Sequence, residues 1–169
     1  AEARARAEEN LREAPESRED LDLALAAATA AGDPAGAQAL RARLQTADRM
    51  AQAEASQEQG LALAVAGRHA EAVAVYRRSL ALFEGSATAH SNLGWSYFDL
   101  GDPAAALREQ DRAVELDPRL APAHYGRAVA LEAAGDAAGA VRAFREYLRL
   151  EPRGAWALAA EERIRALQR

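Results

Sequence analysis

The residues with the chemistry to act are three histidines, a few paired carboxylates and a group of large aromatics. His90 and His124 stand 34 positions apart, with His69 upstream of both. Two imidazoles can begin a metal site, but a site needs further ligands, and no HExxH-like spacing occurs. The chain has no cysteine, so thiolate ligands, a thiol nucleophile and a disulfide framework are excluded. Glu161-Glu162 and Asp20-Asp22 are pairs of the kind used in acid–base catalysis. They fall on stretches that read as exposed helix, where such charges solvate the surface and complement helix ends. Glycines never group as a phosphate-cradling loop, and no Ser–His–Asp arrangement is suggested. The expectation is a chain without catalytic residues, metal or cofactor.

The elements that carry these residues repeat. In Ala87–Leu120 a first helix runs from about Ala87 to Leu100, with Leu93, Tyr97 and Leu100 apolar. Gly101 can take positive φ and close it. Asp102 can cap a second helix, and Pro103 suits its first turn. Ala106, Leu107, Ala113, Val114 and Leu116 share one face, until Pro118 ends the helix. A shift of 34 in either direction restores the pattern. Gly94 becomes Gly60 and Ala128, Gly101 becomes Gly67 and Gly135, Ala106 becomes Ala72 and Ala140.

This gapless helix–turn–helix period resembles the tetratricopeptide repeat, with its ladder of small and aromatic residues. The resemblance covers about 53–154 as three repeats, 53–86, 87–120 and 121–154. It implies an all-α, right-handed helical-hairpin solenoid, because one repeat cannot bury its apolar face without neighbours. Small residues at Gly60, Gly94 and Ala128 would let paired helices approach, with Leu63, Tyr97, Leu131, Tyr76 and Phe144 filling the space beside them. Three positions depart from the family pattern. Gln110 stands where Tyr76 and Phe144 supply an aromatic, Tyr147 replaces a small residue, and Glu84 replaces the terminating Pro. His90 and His124 take a slot where the family has bulky aromatics, so packing between helices is their expected role. His69, beside the Gly67 turn, reads as exposed.

Residues 1–52 read as an N-terminal helical segment. A short helix at 2–14 stops at Pro15, and Ser17 with Asp20 gives a capping box for the next. Gly32-Asp33-Pro34 repeats the Gly101-Asp102-Pro103 turn at two periods plus one residue. Residues 18–51 are therefore either a degenerate repeat or an unrelated helical hairpin. No Pro separates Ala35 from Ala66, which predicts one helix over roughly 35–66, the alternative being a turn near Ala47–Gln52 that lacks Pro. After Pro152, residues 155–169 read as a C-terminal capping helix with Trp156, Ala160, Ile164 and Leu167 on one stripe. Trp156 is expected in the core of that cap.

The net charge is −5, with acids and arginines spread along the chain and no basic stripe, which argues against nucleic acid. No apolar run approaches the length needed for membrane insertion. All basic residues are Arg and Ala is the commonest residue, which reads as GC-rich, bacterial-type coding. A start at Ala1 without Met reads as a processed form or a piece of a longer protein. The default compartment is cytoplasmic, with an exported mature form as the alternative.

The family resemblance also implies a ligand surface, the concave face formed by the first helices. Its slots here hold Leu61 and Val65, then Trp95, Phe98 and Asp99, then Tyr125, Val129 and Glu132. The centre is apolar, and Asp99, Glu54 and Glu132 give it an acidic rim. A contiguous apolar patch with a polar rim and aromatic anchors is what a binding surface presents. Family members that hold acidic chaperone tails use Lys, Arg and Asn along the groove. Only Asn92 matches here, against Gln57, Leu61, Pro122 and Gly126 in the other slots. The expected function is a protein-interaction adaptor or scaffold. Its ligand would be a peptide or helix that is apolar or basic rather than an acidic C-terminal tail. The alternatives are a self-associating assembly module forming a homo-oligomer, or a regulatory repeat segment of a larger protein.

Overall fold

The computed structural model describes residues 17–169, so the helix expected at 2–14 lies outside the described residues. Eight α-helices occur among these: α1 Arg18–Ala30, α2 Pro34–Val65, α3 His69–Leu82, α4 Ala87–Asp99, α5 Pro103–Leu116, α6 Ala121–Ala133, α7 Ala137–Leu150 and α8 Ala157–Leu167. No strand accompanies them among the described residues, and the fold is an all-α helical-hairpin repeat. The chain divides into two compact units, residues 1–52 and 53–169.

In the first unit, α1 begins at the expected capping box. Ser17 Oγ accepts the Asp20 backbone N–H at 3.2 Å, and Asp20 Oδ2 accepts the Ser17 N–H at 3.2 Å. That pairing uses two N–H groups a helix start leaves open. Leu21 and Ala24 of α1 bury against Leu40 and Leu44. Helix α2 follows without interruption through the stretch that lacks a breaker.

The helix turns share one local solution. Gly32, Gly67, Gly101 and Gly135 all have positive φ. The following backbone N–H reaches back to Ala28, Leu63, Tyr97 and Leu131 carbonyls respectively, at 2.9–3.0 Å. This is the six-to-one bond of a left-handed helix stop, which satisfies a carbonyl the helix end would leave open. Asp102 and Asp136 then accept the Ala105 and Gly139 N–H groups at 2.9 and 2.8 Å, starting α5 and α7. Asp33 does the same for Gly36 at 3.0 Å.

In the second unit, consecutive helices pack pairwise from α3 to α8, and α4 also meets α6, the first helix of the next pair. One core joins Ala72, Val73, Tyr76 and Leu93. A second gathers Tyr125, Val129, Ala140, Phe144, Tyr147 and Ala160, with Ile164 and Leu167 of α8 against it. The absence of Pro at Glu84 does not extend α3. It stops at Leu82, and Phe83 adopts an extended cap like Asp117 after α5.

Candidate functional site

Two of the three departures from the repeat pattern, Gln110 and Tyr147, bear on a groove on α4 and α6. Gln110 of α5 is fully buried. Its Oε1 accepts from Ser91 Oγ at 3.1 Å, and its Nε2 donates to the Ser91 carbonyl at 3.0 Å. The amide lies against Gly94 of α4 and Gly126 of α6, where an added Cβ would come within 2.8 Å and 2.6 Å of amide atoms. A buried polar group is tolerable only when its bonds are made. This one makes them while setting how closely two groove helices approach the same side chain.

Tyr147 fits its small-residue slot because the loop into α8 lies against its hydroxyl. Its hydroxyl accepts the Trp156 backbone N–H at 3.1 Å, and Gly154 leaves room for that hydroxyl, since a Cβ there would fall 2.5 Å from it. The loop into α8 is thereby held so that the Trp156 indole lies over Tyr125, 4.9 Å between centroids, and 6.0 Å from Trp95. Trp95 stacks on Tyr125 at 6.1 Å and meets Phe98 edge-on at 6.3 Å. Tyr125 also takes the edges of Phe144 and Tyr147. Such ring pairs add about 0.5–1.5 kcal/mol each beyond area burial.

Above this cluster lies a cavity of about 600 Å³. Leu61 and Ala64 of α2 form one side, with Tyr76 of α3 behind them. Asn92, Trp95, Ser96, Phe98 and Asp99 come from α4, Pro122, Tyr125 and Val129 from α6, and Trp156 and Arg163 from the C-terminal segment. Of the residues singled out from sequence, Leu61, Trp95, Phe98, Asp99, Tyr125 and Val129 meet here. Val65 does not reach the wall and is 82 % exposed. Glu132 also lies outside it and accepts from Arg163 Nη1 at 2.6 Å.

Trp156 is the wall residue that pattern reasoning assigns to the cap alone. It serves the cap and the cavity together, and is 39 % exposed. Arg163 has no repeat slot to announce it. Its only sequence signal is a position two turns after Trp156, on one face of the last helix.

The histidines are structural where they can be read. His90 and His124 are buried. Their Nε2 atoms bond the carbonyls six residues earlier, Glu84 at 3.2 Å and Pro118 at 3.0 Å. His90 Nδ1 also lies 2.8 Å from Glu109 Oε2. His69 departs from expectation: its side chain is mostly covered and its Nδ1 lies 3.5 Å from Asp99 Oδ2, because the α3 start packs beside the α4 end. Among the described residues no three His, Asp or Glu side chains gather as a metal site, and no helix is long and apolar enough to cross a membrane. The Tyr76 phenol is pushed up to about 12 by burial.

Comparison with known proteins agrees with this architecture. Tetratricopeptide repeat signatures match residues 52–119 and 123–153, together more than half of the chain. The chain belongs to the tetratricopeptide repeat family. Among solved structures, the Arabidopsis OM64 TPR domain is 27 % identical with a TM-score of 0.67, covering 70 % of this chain and 98 % of that one. The second TPR domain of human RPAP3, solved in complex with an HSP70 peptide, is 21 % identical with a TM-score of 0.66, covering 72 % and 98 %. MamA is 22 % identical with a TM-score of 0.65, covering 83 % and 80 %. No curated protein sequence matches the chain.

Proposed function

We propose that the chain is a protein-interaction adaptor that seats a segment of a partner protein in the α4–α6 groove, and that it is not an enzyme. The observation that carries this reading is the Trp95–Tyr125–Trp156 cluster, in which a partly exposed Trp95 and Trp156 cover a buried Tyr125 and face an open cavity of about 600 Å³. Large aromatics with an open face are the side chains that dominate binding energy when a partner covers them. The repeat family consists in general of interaction modules, and the RPAP3 domain that shares this fold was solved with an HSP70 peptide. Fold alone does not transfer a ligand, so the site rests on this chain's own residues. Leu61, Trp95, Phe98, Asp99, Tyr125 and Val129 are its proposed contacts, with Val65 and Glu132 at the margins. The ligand is a protein segment rather than nucleic acid, a reading supported by the net charge of −5.

The same reading takes 53–154 as three repeats with 155–169 as the cap, and 18–51 as a degenerate repeat. The Gly32–Asp33 turn, which shares the bonding of the later turns, supports that last assignment. The test is capture of partners with wild type beside the Trp95→Ala/Phe98→Ala double variant. Loss of the captured set at unchanged helix content and melting temperature is expected. An unchanged set from the folded variant would remove this groove as the site.

A further inference from the structure

Two charged side chains line the groove wall, and the one cation among them is already paired. Arg163 is held by Glu132 at 2.6 Å. Asp99 stands 3.5 Å from His69 Nδ1 and is itself an acid. The rest of the wall is apolar or aromatic, apart from Asn92, Ser96 and the edge of Tyr76. A carboxylate entering this space would lose hydration without meeting a free positive charge, which costs several kcal/mol unless a partner is supplied. A second cation would find Asp99 at one end but would sit against Arg163 at the other.

On these grounds, and resting on the function proposed above, we infer that the groove selects a segment bearing a large uncharged side chain, aromatic or branched aliphatic, and rejects acidic tails. The Arg163–Glu132 pair is the residue pair that sets this preference. It neutralises the one guanidinium on this wall and engages its Nη1, so an incoming carboxylate must compete with Glu132 for it. The selection joins Arg163 of α8 to Glu132 of α6.

The experiment uses two probes and the chain's own reporters. Trp95 and Trp156 are its only two tryptophans, so their indole N–H resonances read groove occupancy directly. A random dodecapeptide library displayed on phage supplies the first probe, and the enriched sequences are synthesised. The second is the acidic peptide SGPTIEEVD, the HSP70 peptide of the RPAP3 complex. Enriched peptides are expected to carry an uncharged aromatic or branched aliphatic anchor and to shift both indoles. Their affinity should change less than about twofold between low and high salt, since no exposed ion pair forms. SGPTIEEVD should shift neither indole of the wild type. Glu132→Gln frees Arg163 and should raise affinity for SGPTIEEVD about tenfold or more.

A wild type whose indoles respond to SGPTIEEVD, or a library converging on acidic or basic anchors, overturns the selectivity and leaves the groove standing. An unchanged response of Glu132→Gln overturns the role of the pair. Enriched peptides that bind without moving either indole overturn the groove itself, as does a library that enriches nothing.

Discussion

The Gln110 amide makes two hydrogen bonds to Ser91, accepting from its hydroxyl at 3.1 Å and donating to its carbonyl at 3.0 Å. In the repeats before and after, the same position holds Tyr76 and Phe144, which fill space without such bonds. Gln110 lies against both Gly94 and Gly126, so the spacing of α4 and α6 is tied to an amide.

Gly126→Ala is therefore expected to destabilise the second unit by about 1–3 kcal/mol, the usual cost of forcing an extra methyl into a packed site. Gln110→Ala should cost about 2–4 kcal/mol, combining a cavity with lost bonds at Ser91. The two touch, so the double variant should be less destabilised than the sum of the singles. Denaturant unfolding of the four proteins checks this, and strict additivity would show that the amide does not set the spacing.

Glycines in this chain serve two separable purposes, and substitution tells them apart. Gly101 has φ +80° and nothing within 4 Å of where a Cβ would stand, so Gly101→Ala should cost about 1–2 kcal/mol from backbone conformation alone. Gly101→Asn should recover part of that, since Asn tolerates the left-handed region. Gly60 has ordinary helical φ, but a Cβ would fall 2.6 Å from the Tyr76 ring. Gly60→Ala and Gly60→Asn should both be destabilised, with no rescue by Asn. Thermal unfolding of the four variants separates the cases.

The helix framework is legible in sequence because its signals are local. A glycine that must turn, an aspartate that caps three residues on, and a period of 34 need no knowledge of distant neighbours. The groove centre is legible through the same period, since Trp95, Phe98, Tyr125 and Val129 occupy successive slots on first helices. Gln110 reads only as a departure, because its reason is Ser91, nineteen positions earlier on another helix. Arg163 and Glu132 are separated by 31 residues, and His69 meets Asp99 only through the docking of α3 beside α4. Trp156 is assigned to the cap by its stripe. Its place in the groove follows from the loop anchored on Tyr147, which no periodicity encodes.

Alkaline pH should weaken the fold through Tyr76. Burial disfavours the phenolate and pushes this group up to about 12 in the folded protein, against about 10 in an unfolded chain. Its folded value is raised, so its contribution is fully present below about pH 10 and is lost as pH rises toward about 12. Stability from denaturant midpoints should therefore fall across that window in the wild type, and Tyr76→Phe should fall less. Equal slopes for the two proteins would mean that the Tyr76 phenol titrates normally.

Trp156 tests whether α8 is part of the groove or merely covers an end. Its ring lies 4.9 Å from Tyr125 and 6.0 Å from both Trp95 and Tyr147, while its backbone N–H bonds the Tyr147 hydroxyl. Trp156→Ala keeps the backbone bond and deletes the ring contacts. It should cost about 1–3 kcal/mol, the range for a half-buried aromatic with several ring partners. Trp95 then becomes the sole tryptophan, and its emission should move to longer wavelength than in Trp156→Phe, where a ring still covers it. If α8 were only a distant lid, the two variants would give the same Trp95 spectrum. A difference between them, at equal helix content, makes the terminal indole a wall of the site.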